Sequence, residues 1–258
     1  MGGAAVAVLA VLARCAAHAG PPALVPAPSY DPPDTAQTET ATLSGGCFWG
    51  MQGVFEHVKG VTRVYAGYTG GAADTAQYES VSTGQTGHAE SVQISFDPQV
   101  VSYGKLLQIY LTVAADPTEL NYQGPDSGTQ YRSEIWYDSA AQQLVAEDYL
   151  AQLTKAKAFS APIVVRVDPA RPFYRAEAYH QDFMFRNPDY PYIVINDAPK
   201  VAATHQATIK TNTSKINSIL SNLLSIKTSI QNSQDSIVKA DRSIAEKDLS
   251  LQKLKVEM

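Results

Sequence analysis

The sequence predicts an α/β (α+β) protein. A single mixed-sheet domain with flanking helices is followed by a long C-terminal helix of coiled-coil character. Three observations carry this reading. Between residues 41 and 199, strand-like runs alternate with apolar residues at helical spacing. All Gly, Pro and aromatic residues lie before residue 200, so the chain changes physical kind near Pro199. Beyond that point Ile209, Ile216, Leu223, Ile230, Ile237, Ile244 and Leu251 recur every seven residues.

Composition bounds the function. The chain has 258 residues, 45% hydrophobic and 17% charged, which excludes a wholly disordered protein. At about 150 residues per domain, one or two domains are expected. A net charge of −5 gives no broad electrostatic footprint for nucleic acid or anionic membrane. Two cysteines make neither a disulfide-dense scaffold nor a four-cysteine zinc site.

Residues 1–19 read as an export signal. Ala4–Ala13 is a small-residue apolar run, and Ala17-His18-Ala19 fits a cleavage site. The expected destination is periplasmic or extracellular; a chain that does not use this signal stays cytoplasmic. Cleavage there removes Cys15 and leaves Cys47 alone. Residues 20–40 carry six prolines and read as an extended, solvated linker.

The domain over 41–199 follows element by element. Ala41-Thr42-Leu43 runs as a strand into Ser44-Gly45-Gly46-Cys47. Met51, Val54, Phe55 and Val58 then recur at helical spacing, with Gly60 as a stop. Val61–Tyr68 is strand-like and ends at the Gly70-Gly71 turn. Val92, Ile94 and Phe96 alternate as a half-buried strand closed by Asp97-Pro98. Ser102 caps a helix bearing Leu106, Leu107, Tyr110 and Leu111. Ser139 caps another, through Leu144, Val145, Tyr149 and Leu153. Pro162–Val167 reads as a buried strand.

Cys47 thus falls at a strand-to-helix turn, where unpaired N–H groups and the positive helix pole stabilise a thiolate. Gly45, Gly46 and Gly50 let the backbone pass close to the sulfur. Phe48 and Trp49 beside it can wall an apolar pocket for a small group such as a methyl. A buried, inert cysteine with two core aromatics is the plain alternative.

Gly46-Cys47-Phe48-Trp49-Gly50 resembles the active-site signature of the peptide methionine sulfoxide reductase A family. Further matches follow in the family's order: Gly67-Tyr68-Thr69-Gly70-Gly71, Gly87-His88-Ala89-Glu90, Asp116-Pro117, Gly128-Thr129-Gln130-Tyr131-Arg132-Ser133 and Ala178-Tyr179-His180-Gln181-Asp182. The resemblance spans about 41–199. It implies repair of oxidised proteins by thiol-dependent reduction of methionine S-sulfoxide, in peptides or free. It makes Cys47 the nucleophile and Glu90 the general acid, a role that requires burial to raise its pKa. Tyr78 and Tyr131 match phenols that hydrogen-bond the sulfoxide oxygen. Phe48 and Trp49 match the walls that hold the substrate methyl. Asp126 matches a carboxylate that assists through water. His88 and His180 read as structural hydrogen-bonders.

The implied cycle leaves a sulfenic acid on Cys47. Many family members resolve it with a second cysteine, and none follows Cys47 here. An external thiol, small or thioredoxin-like, is therefore expected as reductant. No metal or organic cofactor is implied, and the partners expected are oxidised proteins and peptides. A non-enzymatic module with the tail as its working end, and a peroxide-reducing thiol enzyme, are the competing readings.

The tail, residues 200–258, lies outside the resemblance. One apolar seam runs through it, with a half-polar second seam at Asn212, Ile219, Ile226, Ser233, Ala240, Lys247 and Leu254. Such a helix wants a partner, so self-association through 209–254 is expected.

Overall fold

The computed structural model describes residues 24–256; the expected export signal lies outside them. The chain divides into two units, residues 1–207 and 208–258.

The sheet of the first unit has six strands in the order β7-β6-β1-β3-β2-β8. At its centre, β1 (Glu39–Ser44) lies antiparallel to β3 (Ala89–Phe96), with Leu43 opposite Val92 and Ser44 opposite Ser91. β3 also pairs antiparallel with β2 (Val61–Thr69), with Tyr68 opposite Glu90. This register sets Glu90 level with the loop that leaves β1. The expected strand at Val92–Phe96 is thus central, with Val92, Ile94 and Phe96 buried in the expected alternation, and β3 extends it back through the buried Ala89–Ser91.

Outside this trio, β6 (Glu134–Tyr137) pairs antiparallel with β1, and β7 (Arg166–Pro169) runs parallel to β6. β8 (Tyr174–Arg175) closes the other edge on β2. The strand expected at Pro162–Val167 therefore lies further along the chain and is half-exposed rather than buried. It is an edge strand with one neighbour, and Pro162 has no N–H to give a ladder.

Helix α1 (Phe48–Glu56) buries Met51, Val54 and Phe55 in the core. The short α2 (Tyr78–Val81) follows β2. In α3 (Tyr103–Ile109) the Ser102 hydroxyl accepts from Lys105 N–H at 3.2 Å. In α4 (Ala140–Lys155) the Ser139 hydroxyl accepts from Gln142 N–H at 3.2 Å. Both are the expected caps. A two-stranded hairpin, β4 (Tyr122–Gln123) and β5 (Asp126–Ser127), stands apart from the main sheet. Helix α5 (Phe183–Arg186) precedes a π-helical turn at Ile193–Asp197.

From residue 24 the proline-rich segment is largely exposed, as a solvated linker would be, but it is also tied to the domain at several points. Val25 is buried. The Tyr149 hydroxyl donates to Pro26 O (2.7 Å), and the Gln108 and Gln152 amides donate to Val25 O (2.6 Å) and Ala27 O (2.9 Å). An extended proline-rich backbone makes no internal hydrogen bonds, so its carbonyls stay open to acceptance from α3 and α4.

Helix α6 (Ala198–Val256) is 59 residues long. Its first turns belong to the compact unit, where Val201, Thr204 and Ala207 are buried. The unit thus extends past the boundary expected at 199. In the second unit the heptad residues form a helix as expected, with Ile209 64% and Ile230 54% exposed.

Candidate active site

The loop from β1 to α1 is held by close backbone approaches. Gly46 adopts φ +85°, and its N–H donates to Tyr131 O at 3.2 Å. A Cβ on Gly45 would fall 2.7 Å from Ala115 Cβ. These contacts fix Cys47 as the N-cap of α1, with its carbonyl accepting from Met51 N–H at 3.3 Å.

Cys47 is 9% exposed. Burial pushes its thiol pKa well up, and the charges of Glu90, Asp197 and Asp126 add to that; the Trp49 N–H works in the opposite direction. The thiolate expected from the helix pole is therefore not the resting form. Desolvation is the largest cause and outweighs one helix end.

Glu90 Oε2 accepts from Phe48 N–H at 3.0 Å, one residue beyond Cys47. Burial raises the Glu90 pKa to about 8; the Phe48 N–H opposes, while Asp126 and Asp197 reinforce. Glu90 is thus a protonated, buried acid at neutral pH, as its expected role requires. Tyr78 and Tyr131 are half-buried, and both phenols lie within electrostatic reach of Glu90, Asp126 and Cys47. Burial is the main cause that raises each phenol's pKa, so both keep a proton to donate.

Two anchors place the phenols. The Tyr78 N–H donates to Glu177 Oε1 at 2.9 Å. Next to Tyr131, the Arg132 guanidinium donates to Glu134 Oε2 (2.6 Å), His88 O (3.2 Å) and Gly87 O (3.1 Å). This ties the Tyr131 turn to the start of β3, which carries Glu90.

The aromatic wall is layered. Phe48 is fully buried, with its ring 5.7 Å from Tyr68 and 5.0 Å from His180. Trp49 is half-buried and stacks on Phe183 at 3.8 Å, with Tyr190 and Tyr192 edge-on. The Trp49 indole N–H donates to His180 Nδ1 at 3.0 Å. Burial lowers the His180 pKa, so a neutral imidazole orients the indole. His88 accepts Gly71 N–H at Nδ1 (3.2 Å) and bonds Ala72 O through Nε2 (2.9 Å), securing the Gly70-Gly71 turn.

Asp126, in β5, accepts a hydrogen bond from the Tyr192 hydroxyl. Burial raises its pKa against the opposing effects of Tyr192 and Lys200. Three site neighbours escaped the sequence reading: Tyr192, Glu177 and Asp197. Glu177 had a signal, standing three residues before His180 in the late motif. Tyr192 and Asp197 had none. Among the described residues no group of three metal-ligating side chains occurs.

The peptide methionine sulfoxide reductase family model matches residues 39–213. Over 169 residues the chain is 60% identical to peptide methionine sulfoxide reductase MsrA 2 of Mesorhizobium japonicum, covering 66% of this chain and 87% of that protein. It is 48% identical to MsrA 2 of Synechocystis sp. over 169 residues, 66% of this chain and 79% of that one. Among solved structures, Mxr1 from Saccharomyces cerevisiae in reduced form is similar with a TM-score of 0.55 at 30% identity, covering 63% of this chain and 92% of that chain. The chain belongs to the peptide methionine sulfoxide reductase family and is an oxidoreductase that repairs protein by thiol-dependent reduction of methionine sulfoxide.

Proposed function

We propose that this enzyme reduces the S epimer of methionine sulfoxide through Cys47 and an external thiol. The observation that carries this is the reach of the Glu90 carboxyl to the amide beside Cys47, with burial holding that carboxyl protonated up to about pH 8. The Cys47 sulfur attacks the sulfoxide sulfur. Glu90 protonates the oxygen, which Tyr78 and Tyr131 hydrogen-bond as negative charge develops. Asp126 assists through water, and Phe48 and Trp49 hold the substrate methyl.

Two electrons pass from Cys47 to the substrate sulfur. Methionine leaves, and the oxygen remains as a Cys47 sulfenic acid. No cysteine follows Cys47 in the sequence, so an external thiol attacks the sulfenic sulfur, releases water and forms a mixed disulfide. A second thiol then frees Cys47. A thioredoxin-like dithiol supplies both thiols at once and is the reductant favoured here.

The test uses residues 20–258, a thiol reductant and both epimers of a methionine sulfoxide peptide. Loss of the S epimer alone, abolished by Cys47→Ser, is expected. Turnover of the R epimer, or an active Cys47→Ser enzyme, refutes the reading.

Two further readings have their own support. The Ala-rich start with its Ala17-His18-Ala19 site supports export, which sequencing the N-terminus of the secreted protein checks. The exposed seam from Ile209 to Leu251 supports self-association. Light scattering with and without residues 208–258 checks this, and equal protomer numbers remove the idea.

A further inference from the structure

Asp197 is a buried carboxylate to which the mechanism above gives no task. It ends the π-helical turn Ile193–Asp197 and is 0% exposed. Neither carboxylate oxygen has a hydrogen-bond partner among the described residues. The Lys200 ammonium lies 3.7 Å from Oδ1.

Its location gives it a purpose. Gly50 is the third residue of α1, and a Cβ there would fall 2.1 Å from Asp197 Oδ1. In a capping box, the third helical residue sends a carboxyl back toward the N-cap. Here glycine leaves that slot open and Asp197 fills it from across the chain. The N-cap is Cys47. The other two carboxylates nearby are engaged, Glu90 with Phe48 N–H and Asp126 with the Tyr192 hydroxyl.

We propose that Asp197 accepts the Cys47 thiol proton as the sulfur attacks, so that donor and acceptor are separate carboxyls. This rests on Cys47 being the nucleophile. The Sγ–H bond breaks and its proton passes to Asp197. The freed sulfur pair bonds to the substrate sulfur, while the Glu90 proton goes to the sulfoxide oxygen. When that oxygen becomes the sulfenic hydroxyl, methionine leaves with two more electrons on sulfur. Return of the proton from Asp197 to Glu90 resets both groups, and the half-reaction takes up no net proton.

The groups facing Asp197 are Lys200 of α6, Asp126 of β5, Tyr192 of the preceding turn, Cys47 at the α1 entrance and Glu90 of β3. Burial sets the Asp197 pKa at about 6, with Lys200 opposing and Asp126 reinforcing. The carboxylate is therefore present at neutral pH.

The test is a single turnover of the full chain without reductant, with methionine formed per enzyme followed from pH 5 to 9. The parent should rise through an acidic limb and fall through a basic one. Asp197→Asn should lose the acidic limb and slow by about 100-fold or more, and Asp197→Glu should keep the limb. Lys200→Met, which leaves every reacting group in place, should move the acidic limb to higher pH. A merely structural Asp197 would lower the plateau and leave the limb where it is. An acidic limb unmoved in Lys200→Met, or an Asp197→Asn enzyme as fast as the parent, overturns the proposal. Methionine formed by Cys47→Ser in the same assay would instead overturn the reading of the nucleophile.

Discussion

The compact unit and the helix beyond residue 207 use the same apolar residues in opposite ways. In the compact unit Leu43, Phe55, Ile94 and Leu107 are fully buried. In the second unit Ile216, Leu223, Ile230 and Ile237 lie more than half exposed on a regular helix. Apolar periodicity thus fixes secondary structure in both units, but it contributes burial energy in one. The difference teaches that a heptad seam is a commitment to a surface rather than to a core.

Substitutions should break along the same line. The largest effect belongs to Glu90→Gln. Removing the acid should lower kcat/KM by about 10²–10⁴-fold. Steady-state assays check this, and a smaller loss assigns the proton to another group. In the parent the acid form prevails below pH 8 and disappears above it, so activity with substrate should fall on the alkaline side.

Arg132→Met comes next. It leaves Glu134 buried without its principal partner and should cost about 3–5 kcal/mol of stability. Denaturant melts of residues 20–258 measure this, and a loss below about 1 kcal/mol would make the pair incidental.

A pH series sharpens the comparison further. Glu90 carries a raised pKa in the folded state, so the native chain binds more protons than the unfolded one between pH 4.5 and 8. The stability this gives is complete below the lower value and is lost as pH rises through the upper one. Tm should therefore decline across that window, and Glu90→Gln should flatten the decline.

Ser102→Ala, which removes a cap, should cost about 1 kcal/mol. The smallest effect belongs to Ile230→Asp on the helix. It should leave kcat/KM and the melting of the compact unit unchanged while altering the light-scattering mass. A drop in activity would tie the seam to catalysis.

Much of this was legible in the sequence, for particular reasons. The glycines around Cys47 marked its turn from local chain geometry, and the ordered motifs marked Glu90 through the family resemblance; the structure brings the Glu90 carboxyl to the amide beside Cys47. The caps at Ser102 and Ser139 were legible for the same reason. The strand at 166–169 was misplaced because an edge strand has no full apolar run to mark it. The contacts that tie residues 25–27 to α3 and α4 were not legible, because proline content reports stiffness and says nothing of which carbonyls find donors. Asp197 was invisible because its partner in space is the absent side chain of Gly50, 147 residues earlier in the chain. Nothing near Ile195-Asn196-Asp197 distinguishes a helix entrance from a wall of the site.

The two tryptophans give this enzyme an optical property. Trp136 is buried, with its indole N–H on the Ser44 hydroxyl at 2.8 Å. Trp49 is half-exposed next to Cys47, stacked on Phe183 and bonded to His180. One indole emits from a buried environment, and the other from a half-exposed surface beside Cys47 that substrate covers in the proposed reaction. Intrinsic fluorescence therefore contains a constant reference and a variable signal, and Trp136→Phe isolates the variable one. Occupancy of the proposed site can then be followed by light, with no label attached.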